Sequence, residues 1–268
     1  MIRKPYVAGQ FYPSGRERLR ETIAALIDPQ SSPPKAIALV SPHAGYVYSG
    51  AVAGAVFSSA KIPETCVILG PSHRGIDRLF AIQIRGIWST PLGESPVEES
   101  LAARIAAATD LVEENAAAHL AEHSLEVQLP FIQYFRPGAA IVPILVSAEA
   151  RYEDLVSLGQ ALAEAIRQDG REILIVASTD MSHYVSQRTA EKKDMSAIRR
   201  VLALDPAGLF ETVIAEGISM CGFQPTTAAL VAGRGLGASK AEVIRYQTSG
   251  EASGDYAQVV GYAGIRII

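Results

Sequence analysis

Short apolar runs alternate with longer stretches of helical spacing along the whole 268-residue chain. Strands that are covered on both faces by helices read as uninterrupted apolar runs, whereas the covering helices show a single apolar stripe. In the stretch after Arg151, for example, Leu155, Leu158 and Leu162 recur on one face of a helix. The alternation predicts an α/β fold of three layers (αβα), in which helices flank a central, mostly parallel sheet.

The pattern also places the individual elements. The predicted strands are Ala36–Val40, Cys66–Leu69, Leu79–Ile84, Ala140–Val146, Ile173–Ala177, Val243–Gln247 and Val259–Ile267. The predicted helices are Arg16–Ile27, Gly50–Ser59, Glu98–Ala108, Leu125–Tyr134, Tyr152–Gln168, Gln187–Leu204, Ala207–Glu216 and Thr226–Ala232. Because the sequence contains neither a linker rich in Pro, Gly or Ser nor an internal repeat, residues 1–268 are predicted to form a single domain.

The composition argues against several classes of function. The 24 basic and 28 acidic residues give a net charge of −4, which disfavours a protein that follows nucleic-acid phosphates. With 49% hydrophobic and 19% charged residues, the chain has the composition of a folded protein. Cys66 and Cys221 form no CxxC pair, so they predict neither a disulfide framework nor a zinc ribbon, and they favour a cytoplasmic location.

One uncharged stretch, Ala36–Ala60, is long enough in principle to cross a bilayer. It contains Pro42, His43 and three glycines, which would make a poor membrane helix. It is better interpreted as a buried strand, a loop and a helix of small residues. The N-terminus has no apolar region after Arg3 and Lys4, and therefore does not resemble a signal peptide.

Three of the five histidines follow predicted strands. His43 lies in SPHAGY, His73 in GPSH and His183 in STDMSHY. In open α/β sheets, ligands bind in the crevice beyond the carboxyl ends of the strands. The three imidazoles are therefore candidates for one polar pocket, while each of them alone is also consistent with a hydrogen-bonded loop residue.

Carboxylates accompany some of the histidines. His123 and Glu126 are three residues apart in a predicted helix, so the carboxylate either orients the imidazole or belongs to a solvated charge cluster at the helix start. Asp180 precedes His183 by three residues, and it either holds that ring in one tautomer or caps the following helix. His119 has no such neighbour and is predicted to lie on the surface.

A series of short motifs spans the chain in a fixed order. They are VAGQFYP at Val7–Pro13, SPHAGYVYSG at Ser41–Gly50, GPSH at Gly70–His73, TPLG at Thr90–Gly93, EHSLEVQLPF at Glu122–Phe131, STDMSHY at Ser178–Tyr184, CGFQP at Cys221–Pro225, SGEASGD at Ser249–Asp255 and VVGYAG at Val259–Gly264. In these motifs the sequence resembles the Memo family, whose prokaryotic members are also called AmmeMemoRadiSam system protein B.

The resemblance implies a fold related to the LigB-type, or class III, extradiol dioxygenases. Those enzymes hold non-haem Fe(II) with two histidines and one carboxylate, and His43 and His73 correspond to the two histidines. A third imidazole acts there as an acid or base, and His183 is the candidate for that position. The implied cofactor is a divalent metal, with Fe(II) first and copper or zinc as alternatives.

The third ligand is where this sequence departs from the resemblance. Animal Memo proteins carry a cysteine in the C-terminal motif, and the corresponding position here is Ala252, which cannot bind a metal. The adjacent Glu251 is predicted to supply a carboxylate, with Asp255 as a weaker substitute. Phe11 and Tyr48 are, by resemblance, predicted to be walls of a ligand pocket, and simple core packing is the alternative.

Three hypotheses of function follow. The first is a metal-dependent redox enzyme, similar to a dioxygenase, that acts on a small molecule. Its candidate residues are His43, His73 and Glu251 for the metal, His183 and Asp180 for proton transfer, and His123 for a hydrogen bond to the substrate.

The second hypothesis is a non-catalytic module that retains a degenerate dioxygenase pocket and binds a small molecule, a peptide or a partner. The name of the prokaryotic group implies a radical-SAM protein as that partner. The third is a hydrolase that uses a divalent metal to activate water. No direct nucleic-acid partner and no membrane partner are expected, and the sequence specifies neither the substrate nor the oligomeric state.

Overall fold

A computed structural model describes residues 1–28 and 32–268 of the chain. The strands are β1 Ile2–Arg3, β2 Ala38–Ser41, β3 Thr65–Pro71, β4 Phe80–Ile82, β5 Ile87–Thr90, β6 Gly93–Pro96, β7 Val112–Glu114, β8 Ala140–Val146, β9 Ile173–Ser178, β10 His183–Val185, β11 Ala241–Thr248 and β12 Val259–Ile267. The helices are α1 Arg16–Leu26, α2 Tyr46–Ser58, α3 Glu99–Ala107, α4 Leu129–Phe135, α5 Tyr152–Asp169, α6 Gln187–Leu202, α7 Pro206–Ala215, α8 Phe223–Gly235 and α9 Gly250–Ser253, and two 3-10 turns span Ala116–His119 and Glu126–Gln128.

The main sheet has nine strands in the described part of the chain, in the order β10-β12-β2-β9-β3-β8-β4-β7, with β11 paired to β12. Its centre is parallel, since β9 pairs in parallel with β2 and β3, and β3 with β8. Towards the outside, β12 and β4 run antiparallel to their central neighbours. Helix α2 packs against β2 and β12, and α8 packs against β9, β3 and α5. The predicted α/β architecture, a mostly parallel sheet flanked by helices, is confirmed.

The apolar runs explain the central strands. Every residue of β3 is buried, and so is every residue of β8 except its first. In α5, Leu155, Leu158 and Leu162 are all buried, so the stripe that the sequence shows is the face that packs inward. Burial on both faces of the strands and on one face of the helix is what the two periodicities require.

Several boundaries differ from the prediction. Helix α2 begins at Tyr46 rather than Gly50, directly after the loop that carries His43. The helix predicted from Leu125 begins as the 3-10 turn Glu126–Gln128 and becomes α-helical only at Leu129. The uncharged stretch Ala36–Ala60 contains the buried strand β2, a loop and α2. None of the helices in the described ranges is both long and apolar enough to cross a bilayer.

The shortest elements were not predicted from the sequence. Strands β1, β5 and β6 form a separate three-stranded sheet, and β7 and β10 pair at the two ends of the main sheet. Strands β1, β5 and β6 have only two to four residues and include polar ones, such as Arg3, Ser89 and Glu94, so they form no visible apolar run. The small sheet nevertheless contributes Trp88, which is 1% exposed.

The strand order decides which loops meet. Strand β9 lies between β2 and β3, and all three are parallel. Their carboxyl ends at Ser41, Pro71 and Ser178 therefore lie at the same edge of the sheet. We call this the carboxyl edge, and the loops that leave it carry His43, His73 and the segment up to His183.

Candidate metal centre

Three histidines converge at the carboxyl edge. One nitrogen each of His43, His73 and His123 lies within 4.8 Å of the others. The ring centroids are 5.2 Å apart for His43 and His73, 5.5 Å for His43 and His123, and 4.6 Å for His73 and His123. His43 is buried, His73 is exposed, and His123 is intermediate between the two. Imidazole nitrogen is a common ligand for zinc, copper and iron, so this donor set suits a transition-metal ion.

The hydrogen bonds of Ser178 settle the tautomer of His43. The Ser178 hydroxyl donates to the carbonyl of Ser124 at 2.7 Å and accepts from Nε2 of Gln128 at 2.8 Å. Its only proton is committed to Ser124, so the 2.9 Å contact with Nδ1 of His43 must be donated by the imidazole. The lone pair of His43 is therefore on Nε2. Burial, followed by the neighbouring His73 and His123, lowers the pKa of His43 well below its usual value, which keeps the ring neutral and able to bind a metal.

Glu122 holds the other two rings. Its Oε1 accepts from Nδ1 of His73 at 2.9 Å and lies 3.2 Å from Nδ1 of His123. Oε1 also accepts from the backbone N–H groups of His123 and Ser124, and Oε2 accepts from that of His73. Burial alone would raise the pKa of the Glu122 carboxyl, but hydrogen bonds from His123 and His73 hold it well below its usual range. The group is therefore a carboxylate that accepts from several donors.

Glu126 is not the carboxylate that orients His123, so this part of the prediction is wrong. Its side chain is fully buried and forms an ion pair with Arg3 at 2.8 Å. It also accepts from the backbone N–H groups of Tyr6 and Val7, and from the hydroxyl of Tyr12 at 2.7 Å. The alternative, a solvated charge cluster, is wrong as well. The 3-10 turn that begins at Glu126 directs this carboxylate towards the N-terminal segment.

Asp180 and His183 do not form the predicted pair. Oδ1 of Asp180 accepts from the backbone N–H of His43 at 2.8 Å, and Oδ2 lies 4.0 Å from Nε2 of that residue. Burial raises the pKa of the Asp180 carboxyl. The alternative role as a helix cap is also not observed, because the side chain at the N-cap of α6 is that of Ser186.

The ring of His183 is held instead by the carbonyl of Ser219, which lies 2.8 Å from Nδ1. A carbonyl only accepts, so His183 carries its proton on Nδ1 and has its lone pair on Nε2. Its backbone N–H donates to Oγ of Ser219 at 2.8 Å. His183 lies outside the three-histidine cluster and lines the same cavity as His123.

Cys221 reaches the cluster from the side of the sheet that carries α8. Its Sγ lies 3.2 Å from Nε2 of His43 and accepts from the backbone N–H of Asp180 at 3.3 Å. Burial raises the pKa of the Cys221 thiol. The second cysteine, Cys66, is buried in β3.

The structure does not bring Glu251 to the three histidines. Glu251 lies on α9, is exposed, and accepts from the backbone N–H of Thr248 at 2.6 Å. Ala252 is exposed beside it. Asp255 lines the cavity and accepts from the backbone N–H of Ala257 at 2.8 Å. Among the described residues, the third member of the cluster is His123, for which the sequence predicted a substrate contact.

A cavity of about 490 Å³ adjoins the cluster at His123. Phe11 and Tyr48 both line it. The ring of Phe11 lies 4.8 Å from that of His123, and Tyr48 is 45% exposed at the mouth. Asp180, Asp255 and His183 also face this space, so the cavity combines aromatic walls with two carboxylates and two imidazoles. Such a mixture is typical of small-molecule sites.

His119 is buried, so the prediction that it lies on the surface is wrong. It is 0% exposed, and its ring lies 5.8 Å from that of Trp88. Its carbonyl accepts from Nε of Arg3 at 2.8 Å. The prediction failed because the small sheet that carries Trp88, and therefore the cover over His119, was not visible in the sequence.

Three residues that touch the imidazoles were not predicted from the sequence: Glu122, Ser178 and Cys221. Each of them lies in one of the motifs that carry the family resemblance. Glu122 is adjacent to His123, and Ser178 is the last residue of β9. The motifs were the sign by which these residues could have been found. A single sequence does not show which side chains of a motif point into the site.

Comparison with known proteins agrees with the shared motifs. The profile of a family described as Memo-like protein matches residues 3–266. A MEMO1 family protein of Methanopyrus kandleri is 39% identical over 279 residues, which cover 99% of this chain and 98% of that one. A MEMO1 family protein of Pyrobaculum arsenaticum is 40% identical over 276 residues, covering 98% of each chain.

A solved structure of an uncharacterized protein from Escherichia coli K12 is similar in fold. Its TM-score is 0.52 at 14% sequence identity, and the alignment covers 84% of this chain and 98% of that one. At this level of identity, the likeness concerns the fold alone.

Proposed function

The chain belongs to the Memo family, and on that premise we propose that it is a metal-dependent redox enzyme that acts on a small organic molecule. The metal site consists of His43, His73 and His123, and the substrate binds in the cavity of about 490 Å³ that His123 lines. The single observation that carries the proposal is the convergence of three imidazoles whose Nδ1 atoms all face acceptors within the protein.

The donor set suits a transition metal with open coordination positions. Three imidazole ligands leave room for further ligands, and the Oδ2 atom of Asp180 lies 4.0 Å from Nε2 of His43 as a nearby oxygen. We propose Fe(II) as the resident ion, which when bound supplies one-electron chemistry to a substrate or to dioxygen at its open positions. Copper and zinc also favour imidazole, so the test below compares all three ions.

The protein's own residues supply the rest of the chemistry. Nε2 of His183 has a free lone pair, because Nδ1–H is committed to the carbonyl of Ser219, so His183 can take a proton from a substrate hydroxyl or amine. Phe11 and Tyr48 line the cavity and offer aromatic surface to the bound molecule. In this assignment His123 replaces Glu251 as the third ligand.

Anaerobic titration with Fe(II), Zn(II) and Cu(II) tests the site. We expect one ion per chain, and we expect the His43→Ala, His73→Ala double variant to lose more than roughly 100-fold in affinity, because loss of a group that merely supports a ligand already costs roughly 10- to 100-fold. The matched control is His119→Leu, which removes a buried imidazole outside the cluster. Unchanged affinity in the double variant would overturn the proposal.

Catalysis needs its own measurement. The iron-loaded protein is mixed with a low-molecular-mass extract of cells, and consumption of dioxygen is followed. We expect His183→Gln to bind iron as the wild type does and to consume dioxygen at least roughly 100-fold more slowly, in line with the loss of a general base. If the wild type binds iron but the extract stimulates no consumption, the enzymatic part of the proposal is wrong, and the site is a binding module.

A further inference from the structure

We propose that Glu122 is the positioning residue of the metal site and that it orients two of the three histidines at once. The proposal rests on the metal site described above and deepens it. Glu122 is not among the described residues that line the cavity. Its side chain contacts the rings of His73 and His123, so it acts on the site through these two residues.

The carboxylate of Glu122 contacts both backbone N–H groups and imidazole rings. Oε2 accepts from the backbone N–H of His73 at 2.7 Å, and Oε1 accepts from Nδ1 of the same residue at 2.9 Å. The carboxylate therefore fixes both the loop position and the ring orientation of His73. Oε1 also accepts from the backbone N–H of His123 at 2.8 Å and lies 3.2 Å from Nδ1 of its ring. One buried carboxylate, with a side chain 1% exposed, thus connects the loop after β3 with the segment before α4.

The consequence for the ligands is electronic as well as geometric. A carboxylate that accepts from Nδ1–H holds the imidazole in the tautomer with its lone pair on Nε2 and raises the basicity of that nitrogen. Nδ1 of His73 donates to Oε1 of Glu122, and Nδ1 of His123 lies 3.2 Å from the same oxygen. His43 receives its support from Ser178, which is a neutral hydroxyl. The site is therefore asymmetric, and loss of Glu122 impairs two ligands whereas loss of Ser178 impairs one.

The backbone of Glu122 is held independently of its side chain. Arg3 donates from Nη2 to the carbonyl of Glu122 at 2.8 Å and from Nε to that of His119 at 2.8 Å. The ion pair between Arg3 and Glu126 holds the other end of the same segment. A change confined to the carboxyl group of Glu122 therefore leaves the segment attached to the N-terminal strand.

Glu126 offers a matched control. Both side chains are buried carboxylates on one segment, and both accept from two or more backbone N–H groups. Of the two, only Glu122 reaches imidazole rings. In either residue, a change from Glu to Gln places an amide NH₂ against a donor, so both changes are expected to destabilise the fold, and only one of them removes support from the ligands.

The experiment compares Glu122→Gln and Glu126→Gln with the wild type. Affinity for Zn(II) is measured by competition with a chromophoric chelator, and stability by urea denaturation of the metal-free proteins. We expect affinity to fall roughly 10- to 100-fold in Glu122→Gln, because two ligands lose the carboxylate that orients them. In Glu126→Gln we expect it to stay within about threefold of the wild type, because only a group that hydrogen-bonds a ligand tunes the metal in this way. Saturation with Co(II) provides a second readout, since the visible spectrum reports the coordination geometry, and we expect it to change in Glu122→Gln alone.

Equal affinities and equal cobalt spectra in Glu122→Gln and the wild type would overturn the proposal. Equal losses in both variants would also overturn it, because the effect would then come from general destabilisation. If the wild type itself binds no metal, the proposed function fails, and that result is distinct from a failure of Glu122.

A measurement on the wild type covers the case in which Glu122→Gln does not fold. In protein with ¹⁵N-labelled histidine, we expect NMR to show the rings of His73 and His123 protonated at Nδ1 in the metal-free state. Protonation at Nε2 alone in either ring would contradict the contact on which the proposal depends.

Discussion

The two edges of the central sheet carry charged groups in opposite ways. At the amino edge, where β3, β8 and β9 begin, the charges form surface pairs such as Arg171 with Glu98 at 3.0 Å and Lys61 with Glu172 at 3.3 Å. The side chains of Arg171 and Lys61 are 50% and 56% exposed. At the carboxyl edge, Glu122 is 1% exposed. The charges at one edge stay in water, and those at the other are largely removed from it.

The free-energy cost of removing a charge from water therefore arises at the carboxyl edge. Burying a carboxylate costs several kcal/mol unless hydrogen bonds replace the lost water, and at the carboxyl edge backbone N–H groups and imidazoles replace it. The same contacts engage the Nδ1 atoms of His73 and His123, so the Nε2 atoms of these two rings point away from the carboxylate. Exposed pairs at the amino edge have no such consequence, since each of them contributes about 1 kcal/mol or less.

The largest expected difference between the two edges is in the loss of stability when a glycine at each edge is replaced by alanine. A Cβ atom added to Gly222 would lie 2.3 Å from the carbonyl oxygen of Ser178, at the carboxyl edge. Gly138 lies at the amino edge with φ +75°, and an added Cβ would have no neighbour within 4 Å among the described residues. We expect Gly222→Ala to lower the free energy of unfolding by about 3 kcal/mol, near the upper end for an overpacked core. For Gly138→Ala we expect about 1 kcal/mol, the cost of a left-handed residue with a side chain.

Urea denaturation measures the loss of stability in both variants. The affinity of each variant for zinc gives a second comparison. Because Ser178 holds Nδ1 of His43, we expect Gly222→Ala to weaken metal binding and Gly138→Ala to leave it unchanged. Equal losses of stability in the two variants would mean that the carboxyl edge is no more tightly constrained than the amino edge.

The contrast between the edges also explains which features could be predicted from the sequence. The central strands were found because Cys66–Leu69 within β3 and the whole of β8 are apolar, and the bounds predicted for β8 and β12 agree with the structure. The strand-end positions of His43 and His73 followed from the same pattern, since a residue just after a parallel strand must lie at the carboxyl edge. These features depend on local sequence and on one topological rule.

The remaining features depend on contacts between segments that are distant in the chain. Glu122 and Glu126 are equally acidic and four residues apart, and only the tertiary structure shows that one faces His73 while the other faces Arg3. The burial of His119 depends on Trp88, which a four-residue strand supplies. Neither periodicity nor motif spacing contains this information.

Acid sensitivity provides the second test of the comparison. His43 is buried at the carboxyl edge, and His119 is buried three residues before Glu122. The exposed pairs of the amino edge contain Lys, Arg and carboxylates, and no histidine. Burial, followed by the charge of Arg3, lowers the pKa of His119 to about 3. An unfolded chain takes up this proton near pH 6.5 and the folded protein does not, so stability is fully present above that pH and is lost as the pH falls towards 3. Between pH 6.5 and 5, we expect the metal-free wild type to lose about 1.5 kcal/mol more than His119→Leu.

Urea denaturation at a series of pH values measures this difference. His43 has the same sign of shift and is present in both proteins, so subtraction of the two curves isolates His119. Parallel curves for the wild type and His119→Leu would show that the burial of this ring has no influence on acid stability.

The smallest expected effect lies at the amino edge. The carboxylate of Glu172 contacts both Lys61 and Lys35, at 3.3 and 3.2 Å, and all three side chains are partly or largely exposed. Hydrogen bonds from the two lysines lower the pKa of Glu172, although burial opposes them. We expect Glu172→Gln to cost about 0.5 kcal/mol at low salt, because water screens exposed pairs and ordering two lysines opposes the attraction. In about 0.5 M NaCl the cost should become undetectable by urea denaturation, since the Debye length is then only a few ångströms. Zinc affinity should not change in either buffer. A loss of more than about 2 kcal/mol that persists in salt would instead be typical of a buried pair, and the amino edge would then resemble the carboxyl edge in the one property that separates them.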